Sequence, residues 1–262
     1  MKAGTIFPLW PTWVLARTTF LATAKSWRAL GLLLLAFFPS ILVGGLLANG
    51  TQGSALVSVY EVLVVQLFLP LVLLLVALLL AVPLLREEID EQSMGYLVTR
   101  TLGKPAVVLG KYVGYLLLGT VFLLPSVLVT YGIVALGAPQ SSTDLAGVLP
   151  SLLVSTTLGL IAYGAFYLLL GLLTRRALLV GLVYAFFWEF LLGNLPGVVP
   201  DLTVMHYLLS IPSFWVSYGP LANYATSLTL VDAIVVPLFV GLSCFGLAVM
   251  AILHVPLIPA SE

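Results

Sequence analysis

Apolar residues form six long runs along the chain, and the segments between the runs carry nearly all of its charge. A helix needs about 20 apolar residues to cross a bilayer core about 30 Å thick. Lipid offers no partner to a free backbone amide, and the runs do not alternate as barrel strands do, so helices are the predicted form. The predicted transmembrane helices cover residues 29–48, 62–85, 112–137, 149–173, 177–194 and 233–253.

Composition favours lipid as the solvent of this chain. Hydrophobic residues make up 61% of it, charged residues 8%, and the mean hydropathy is +1.20, whereas soluble domains carry about 25% charged residues. We therefore predict an all-α integral membrane protein, with residues 1–262 as one domain. The single cysteine, Cys244, excludes a disulfide within the chain and a thiolate metal cluster. The first run begins too late to be a removable signal peptide.

The positions of lysine and arginine predict an orientation. Every one of these residues precedes the first run or lies between runs two and three or runs four and five, and the other three connections contain none. By the positive-inside rule, both termini are expected on the cytoplasmic side of the cell membrane. The ten residues are Lys2, Arg17, Lys25, Arg28, Arg86, Arg100, Lys104, Lys111, Arg175 and Arg176.

Two segments outside the apolar runs are expected to contact the membrane without crossing it. Residues 10–28 place aromatic residues such as Trp10 and Trp13 at helical spacing among basic ones, which predicts an interfacial helix, with a plain basic flank as the alternative. Residues 195–232 contain no lysine or arginine, are aromatic, and are interrupted by prolines. They predict short helices or a re-entrant piece on the outer side.

Residues 86–111 form the longest predicted cytoplasmic segment and the most polar part of the chain. Glu88 and Glu91 could share one face of a short amphipathic helix, which suits docking into a groove on a soluble partner. The alternative is a solvated connecting loop.

The same segment resembles the corresponding loop of ABC-2 type permeases. That pattern has an acidic residue, Gly-Thr, an apolar residue, Tyr-Leu-Leu-x-Arg-Pro, a second basic residue and then Gly-Lys. The chain departs from it at Gln92 and Thr101, which replace the usual glycine and proline. The matching positions are Asp90, Glu91, Ser93, Tyr96-Leu97-Val98, Arg100, Lys104 and Gly110-Lys111.

The resemblance implies a permease subunit of an ABC transporter, acting in export as a homodimer or as a closely related heterodimer. ATP and Mg would then be bound by a separate cytoplasmic ATPase subunit, and this chain would hold no cofactor or metal and bind no nucleic acid. The residues implied in coupling to the ATPase are Glu88, Asp90, Glu91, Tyr96 and Arg100.

The chain itself is not expected to be an enzyme. It has no phosphate-binding Gly-x-x-x-x-Gly-Lys-[Ser/Thr] loop, because Gly110-Lys111 is followed by Tyr112 and opens an apolar run. It also has no His-Glu-x-x-His motif and no credible Ser-His pair at membrane depth.

Glu189 is the charged residue that lies well within an apolar run, roughly 20 Å past Arg176 at about 1.5 Å per residue. Intramembrane acids are functional candidates, although an acid satisfied by hydroxyl or backbone groups is equally expected. Two alternatives to the permease stay open. One is a secondary transporter in which Glu189 carries a proton, and the other is a non-transporting anchor or assembly factor for an extracytoplasmic partner.

Overall fold

The computed structural model describes residues 9–90, 104–139, 147–195, 199–216, 220–222 and 228–254, with the backbone alone at residues 9, 11, 87–90 and 254. This part of the chain is helical apart from its connections. Two stretches are π-helical, and they continue α3 into α4 and extend α7. The α-helices are α1 Leu9–Ala24, α2 Trp27–Ala48, α3 Ser54–Leu63, α4 Leu74–Asp90, α5 Lys104–Gly137, α6 Val148–Leu173, α7 Ala177–Val183, α8 Val204–Ser213 and α9 Leu230–His254, with π-helices at Val64–Leu73 and Tyr184–Leu192.

Five described helices are long and apolar enough to cross a membrane: Trp27–Ala48, Ser54–Arg86, Lys104–Gly137, Val148–Leu173 and Leu230–Leu253. The chain is therefore a multi-pass membrane protein by length and composition. The sixth apolar run corresponds to a shorter helix, Ala177–Leu192. Its length is about 24 Å at about 1.5 Å per residue, which is less than the bilayer core of about 30 Å.

Several helices extend beyond the apolar runs that predicted them. The helix predicted over residues 62–85 begins at Ser54 and ends at Asp90, and the one predicted to begin at residue 112 begins at Lys104. Hydropathy marks the part of a helix that lipid covers and does not mark its continuation into water. Pro105 is tolerated in the first turn of α5 because the amides there have no partner within the helix. The predicted segment 86–111 is thus helical at both ends.

Helix α6 lies at the centre of the bundle, where it packs against α4, α5, α8 and α9. Its most apolar stretch is 67% buried, compared with 28% in α2 and 22% in α9. The two peripheral helices therefore present apolar side chains outward, among them Ile41 on α2 and Phe239 on α9.

Hydroxyl groups form hydrogen bonds between neighbouring helices of the bundle. Tyr112 and Tyr115 of α5 donate to the carbonyls of Ile161 and Leu160 on α6, at 2.8 and 3.0 Å. The hydroxyls of Ser40 on α2 and Thr130 on α5 lie 2.7 Å apart. Lipid tails are as apolar as leucine, so packing and interhelical hydrogen bonds of this kind are what hold helices together in a membrane.

Helix α1 packs closely against two glycines at the start of α5. A Cβ at Gly110 would lie 3.0 Å from the Thr12 carbonyl oxygen, and one at Gly114 would lie 3.0 Å from the Ala16 carbonyl oxygen. This Gly-x-x-x-Gly pair therefore allows close packing within the chain. Trp10 on the same helix stays exposed.

Helix α8, in the predicted outer segment, is buried among the longer helices. Ser155 of α6 donates to the Leu208 carbonyl at 3.0 Å, and a Cβ at Gly159 would meet the Leu208 side chain at 3.0 Å. These α6 residues lie about 10 and 16 Å beyond Val148, at about 1.5 Å per residue. The short helix therefore enters the interior of the bundle.

Candidate functional site

The residues implied in coupling fall at the edge of the described structure. Glu91, Tyr96 and Arg100 lie outside the described residues, and for Glu88 and Asp90 the backbone alone is described. Both of the latter belong to the last turns of α4, beyond Arg86, where the apolar span ends. The first acidic residues of the segment are thus carried on an unbroken continuation of a spanning helix.

The carboxyl group of Glu189 is buried and bonded at both oxygens. It lies in the π-helical stretch after α7 and is 1% exposed. The Tyr184 hydroxyl donates to Oε1 at 2.6 Å, and the backbone N–H of Met205 donates to Oε2 at 3.0 Å. Met205 is in the first turn of α8, where amides lack helical partners and the helix dipole favours a negative charge. Glu189 therefore joins α7 to the beginning of α8.

Tyrosines of α6 complete the surroundings of this carboxyl. The rings of Tyr167 and Tyr184 are 6.4 Å apart, and those of Tyr163 and Tyr167 are 6.3 Å apart. The Tyr163 hydroxyl is buried beside the Glu189 carboxyl. The Tyr167 hydroxyl is buried and has no hydrogen-bond partner among the described residues. The Glu189 carboxyl is thus kept away from water, whether it is ionised or protonated. Its contacts with Tyr184 and Met205 give it the role of positioning α7 against α8.

Tyr184, Trp188 and Asn194 lie within five residues of Glu189 along the chain, whereas Tyr163 and Tyr167 lie on another helix, where the sequence gives no link to Glu189. Of the first three, Tyr184 alone bonds the carboxyl, while Trp188 donates to the Leu202 carbonyl at 3.4 Å and Asn194 to that of Phe190 at 2.6 Å. Tyr163 and Tyr167 are one helical turn apart and so share a face of α6. Nothing in the sequence says which helix that face meets.

A second polar group lies near the beginning of α8. His206 Nε2 is 3.3 Å from Asp201 Oδ1, and His206 is buried whereas Asp201 is exposed. Burial lowers the pKa of His206, because the charged imidazolium loses water, and the nearby Asp201 opposes this by raising it. His206 also donates its backbone N–H to Thr203 Oγ1, which caps α8.

One large cavity was not predicted from the sequence. It has a volume of about 860 Å³ and lies between α2, α4 and the beginning of α7. Its walls are apolar, with Leu35, Leu79 and Leu178 from the three helices. We call it the basic cavity, because its rim carries four arginines: Arg28, Arg86, Arg175 and Arg176.

A smaller cavity of about 370 Å³ adjoins it and shares Arg28, Leu32, Leu79 and Pro83 with it. This side cavity reaches α1 and α5, and it is lined there by hydroxyl groups, including Thr19, and by the buried Lys111.

The basic cavity brings together three segments that are far apart in the sequence. Arg28 begins α2, Arg86 closes the apolar part of α4, and Arg175 and Arg176 connect α6 to α7. These are the three basic segments that the positive-inside rule assigns to one side of the membrane. The structure places them at one end of the bundle.

Comparison with protein-family models and with curated proteins gives no match to this chain. Among the residues that the structure describes, no group of three or more His, Cys, Asp and Glu side chains is arranged to hold a metal ion.

Proposed function

We propose that this chain is the membrane-spanning permease subunit of an ABC transporter, which forms the export pathway while a separate cytoplasmic ATPase subunit hydrolyses ATP. The observation that carries the proposal is the continuation of α4 through Glu88 and Asp90, beyond its apolar span. Residues that resemble the coupling loop of ABC-2 permeases thereby begin on a helical extension of a spanning helix. The basic end of the bundle, where this extension emerges, would face the cytoplasm.

In this proposal, the segment between α4 and α5 transmits motion from the ATPase to the spans. Acidic and aromatic groups such as Glu91 and Tyr96 suit a groove lined with basic and apolar side chains. A force on that segment would act directly on α4, which contributes Leu79, Val82 and Pro83 to the basic cavity. ATP binding to the partner would thus alter the space between α2, α4 and α7. A second copy of the chain would complete the pathway.

The decisive experiment is to purify the tagged chain from its native membranes in mild detergent and to identify the co-purifying proteins by mass spectrometry. We expect a stoichiometric ATPase with a phosphate-binding loop, and we expect Glu91→Ala and Tyr96→Ala to release it. Asp144→Ala is the matched control, because it removes one acid from a loop predicted on the opposite side of the membrane. That variant should keep the ATPase.

The alternatives appear as other outcomes of the same preparation. A chain that purifies alone and transports in proteoliposomes without ATP would be a secondary transporter, contrary to the proposal. Stable capture of an extracytoplasmic protein, with no ATPase and no transport, would instead indicate an anchor or assembly factor. The bonding of Glu189 to Tyr184 and Met205 favours a structural role for this acid over proton transport.

A further inference from the structure

We propose that the basic cavity binds an anionic phospholipid, with the phosphate at Arg175 and Arg176 and the acyl chains along the apolar walls of α2 and α7. The inference does not depend on the proposed ATP-driven role, because lipid binding is a property of the chain alone.

The charge of the rim determines the class of headgroup. The described residues that line the basic cavity and its side cavity include five cations and no Asp or Glu. Arginine suits phosphate because its planar fork of N–H groups can bind two phosphate oxygens at once. Arg28, Arg86 and Lys111 have other interactions within the chain. The proposal therefore depends on Arg175 and Arg176, which are both exposed.

The walls distinguish an amphiphile from a free anion. Leu79, Leu178 and Leu179 line the cavity and yet are 43%, 44% and 60% exposed, so the cavity opens sideways. Helices α4 and α7 pack against each other, so this opening lies between α2 and α7. In a membrane, this opening faces lipid chains. A small inorganic anion would use the arginines and leave the leucines uncovered, whereas a phospholipid satisfies both surfaces. Basic pockets between transmembrane helices are known sites for anionic headgroups.

The dimensions also suit a lipid headgroup. A volume of about 860 Å³ lies within the roughly 300–1,000 Å³ that is usual for pockets binding small molecules. The side cavity adds hydroxyl groups of Thr19, Thr23 and Ser26 close to Arg28. The Thr19 and Thr23 hydroxyls can donate hydrogen bonds to the ester oxygens next to a bound phosphate. The Ser26 hydroxyl donates to the Thr23 carbonyl and can still accept a hydrogen bond from a glycerol hydroxyl.

The test is native mass spectrometry of the delipidated full-length chain with added phosphatidylglycerol, phosphatidylcholine or inorganic phosphate. Phosphatidylglycerol should bind more tightly than phosphatidylcholine. The double variant Arg175→Gln/Arg176→Gln should weaken phosphatidylglycerol binding roughly thirty-fold, since each basic residue contributes roughly five-fold near an anionic headgroup. The charge-matched control, Arg17→Gln/Lys25→Gln, removes two cations that line neither cavity and should bind like the wild type.

A second pair of variants fills the cavity without altering charge. Gly31 lines the basic cavity, and a Cβ there meets no atom within 4 Å, so Gly31→Leu should extend its side chain into the space proposed for an acyl chain. A Cβ at Gly45, on the same helix, also meets no atom within 4 Å, and Gly45 does not line the cavity, so Gly45→Leu is the control. We expect Gly31→Leu to weaken phosphatidylglycerol binding several-fold and Gly45→Leu to leave it unchanged.

Three results would overturn the proposal. The first is equal binding of phosphatidylglycerol and phosphatidylcholine. The second is loss of binding that is the same in each test variant and its control. The third is displacement of phosphatidylglycerol by an equal concentration of inorganic phosphate, which would show a simple anion site. If the arginine variant does not fold, the glycine pair still decides between the outcomes.

Discussion

A carboxyl group inside an apolar bundle requires hydrogen-bond partners, and each oxygen of Glu189 has one. One oxygen accepts from a tyrosine of its own helix, and the other accepts from the backbone at the start of α8. An unpaired buried donor or acceptor costs about 1–3 kcal/mol, so this carboxyl stabilises two elements that would otherwise expose free polar groups to an apolar interior.

We expect Glu189→Leu to lower stability by about 1–3 kcal/mol for each donor left without an acceptor, Tyr184 Oη and Met205 N–H. Glu189→Gln keeps a carbonyl acceptor and should lose less, and Tyr184→Phe should lose only the first bond. Thermal unfolding in detergent measures the series. Equal stability of the leucine variant and the wild type would contradict the positioning role.

His206 predicts a dependence of stability on acid pH. Its pKa is lowered in the folded protein from its ordinary value of 6.5, so the unfolded chain takes up the proton first as the pH falls. The contribution of His206 is therefore complete above about pH 6.5 and is lost as the pH drops toward the folded pKa.

Thermal unfolding between pH 8 and pH 5 should show a larger decrease for the wild type than for His206→Gln. Asp201→Asn removes the group that raises the pKa of His206, so this variant should be more sensitive to acid than the wild type. Identical pH profiles for the wild type and His206→Gln would exclude the effect.

At the scale of residues, the sequence identified Glu189 and its neighbour Tyr184 but not the groups that reach the carboxyl from other helices. Glu189 is conspicuous because a lone carboxylate in an apolar run is costly. The Met205 amide that bonds it has no sequence signature, because every residue except proline has such an amide. The arginines of the basic cavity were each visible, but their meeting point depends on how α2, α4 and α7 pack.

At the scale of elements, hydropathy predicted the helices and packing determined their limits. The apolar runs located five spanning helices because the length of a span is dictated by the bilayer. The close packing of α1 against Gly110 and Gly114 could not be inferred, because a chain with 23 glycines has many such pairs by chance.

A large side chain at Gly114 should displace α1. We expect Gly114→Leu to disrupt the contact, because its Cβ would be 3.0 Å from the Ala16 carbonyl oxygen, a backbone atom that cannot turn aside. Gly132→Leu, on the same helix, is the control, because a Cβ at Gly132 meets no atom within 4 Å. Limited proteolysis near Arg17 should be faster in the first variant only. The same cleavage rate in both would show that α1 does not depend on this contact.

At the scale of the molecule, the sixth apolar run determines the topology of the C-terminal third of the chain. Helix Ala177–Leu192 is shorter than the other five candidates, and a short hydrophobic length can be accommodated by local thinning of the bilayer. Whether this helix crosses decides on which side residues 195–232 lie. A short crossing helix and a buried non-crossing helix are equally apolar, so the two topologies differ in the accessibility of residues 195–232 and not in composition.

Single cysteines in a Cys244→Ser background test the six-span topology. A membrane-impermeant thiol reagent applied from outside intact cells should label Ser142→Cys and Ser227→Cys, and Ser93→Cys should be labelled only after the membrane is opened. Labelling of Ser227→Cys only after opening would show that Ala177–Leu192 does not cross.

The π-helical stretch Val64–Leu73 has a consequence for how the chain can vary in length. A π-helical turn arises where a helix accommodates an additional residue, whereas adding or removing one residue in a regular α-helix rotates everything beyond it by about 100°. A relative one residue shorter at this point can keep both α3 and α4 in their packing positions by adopting ordinary α-helix. In an alignment of such relatives, a one-residue gap is therefore expected within residues 64–73, where the number of residues can change without rotating α4 relative to α3.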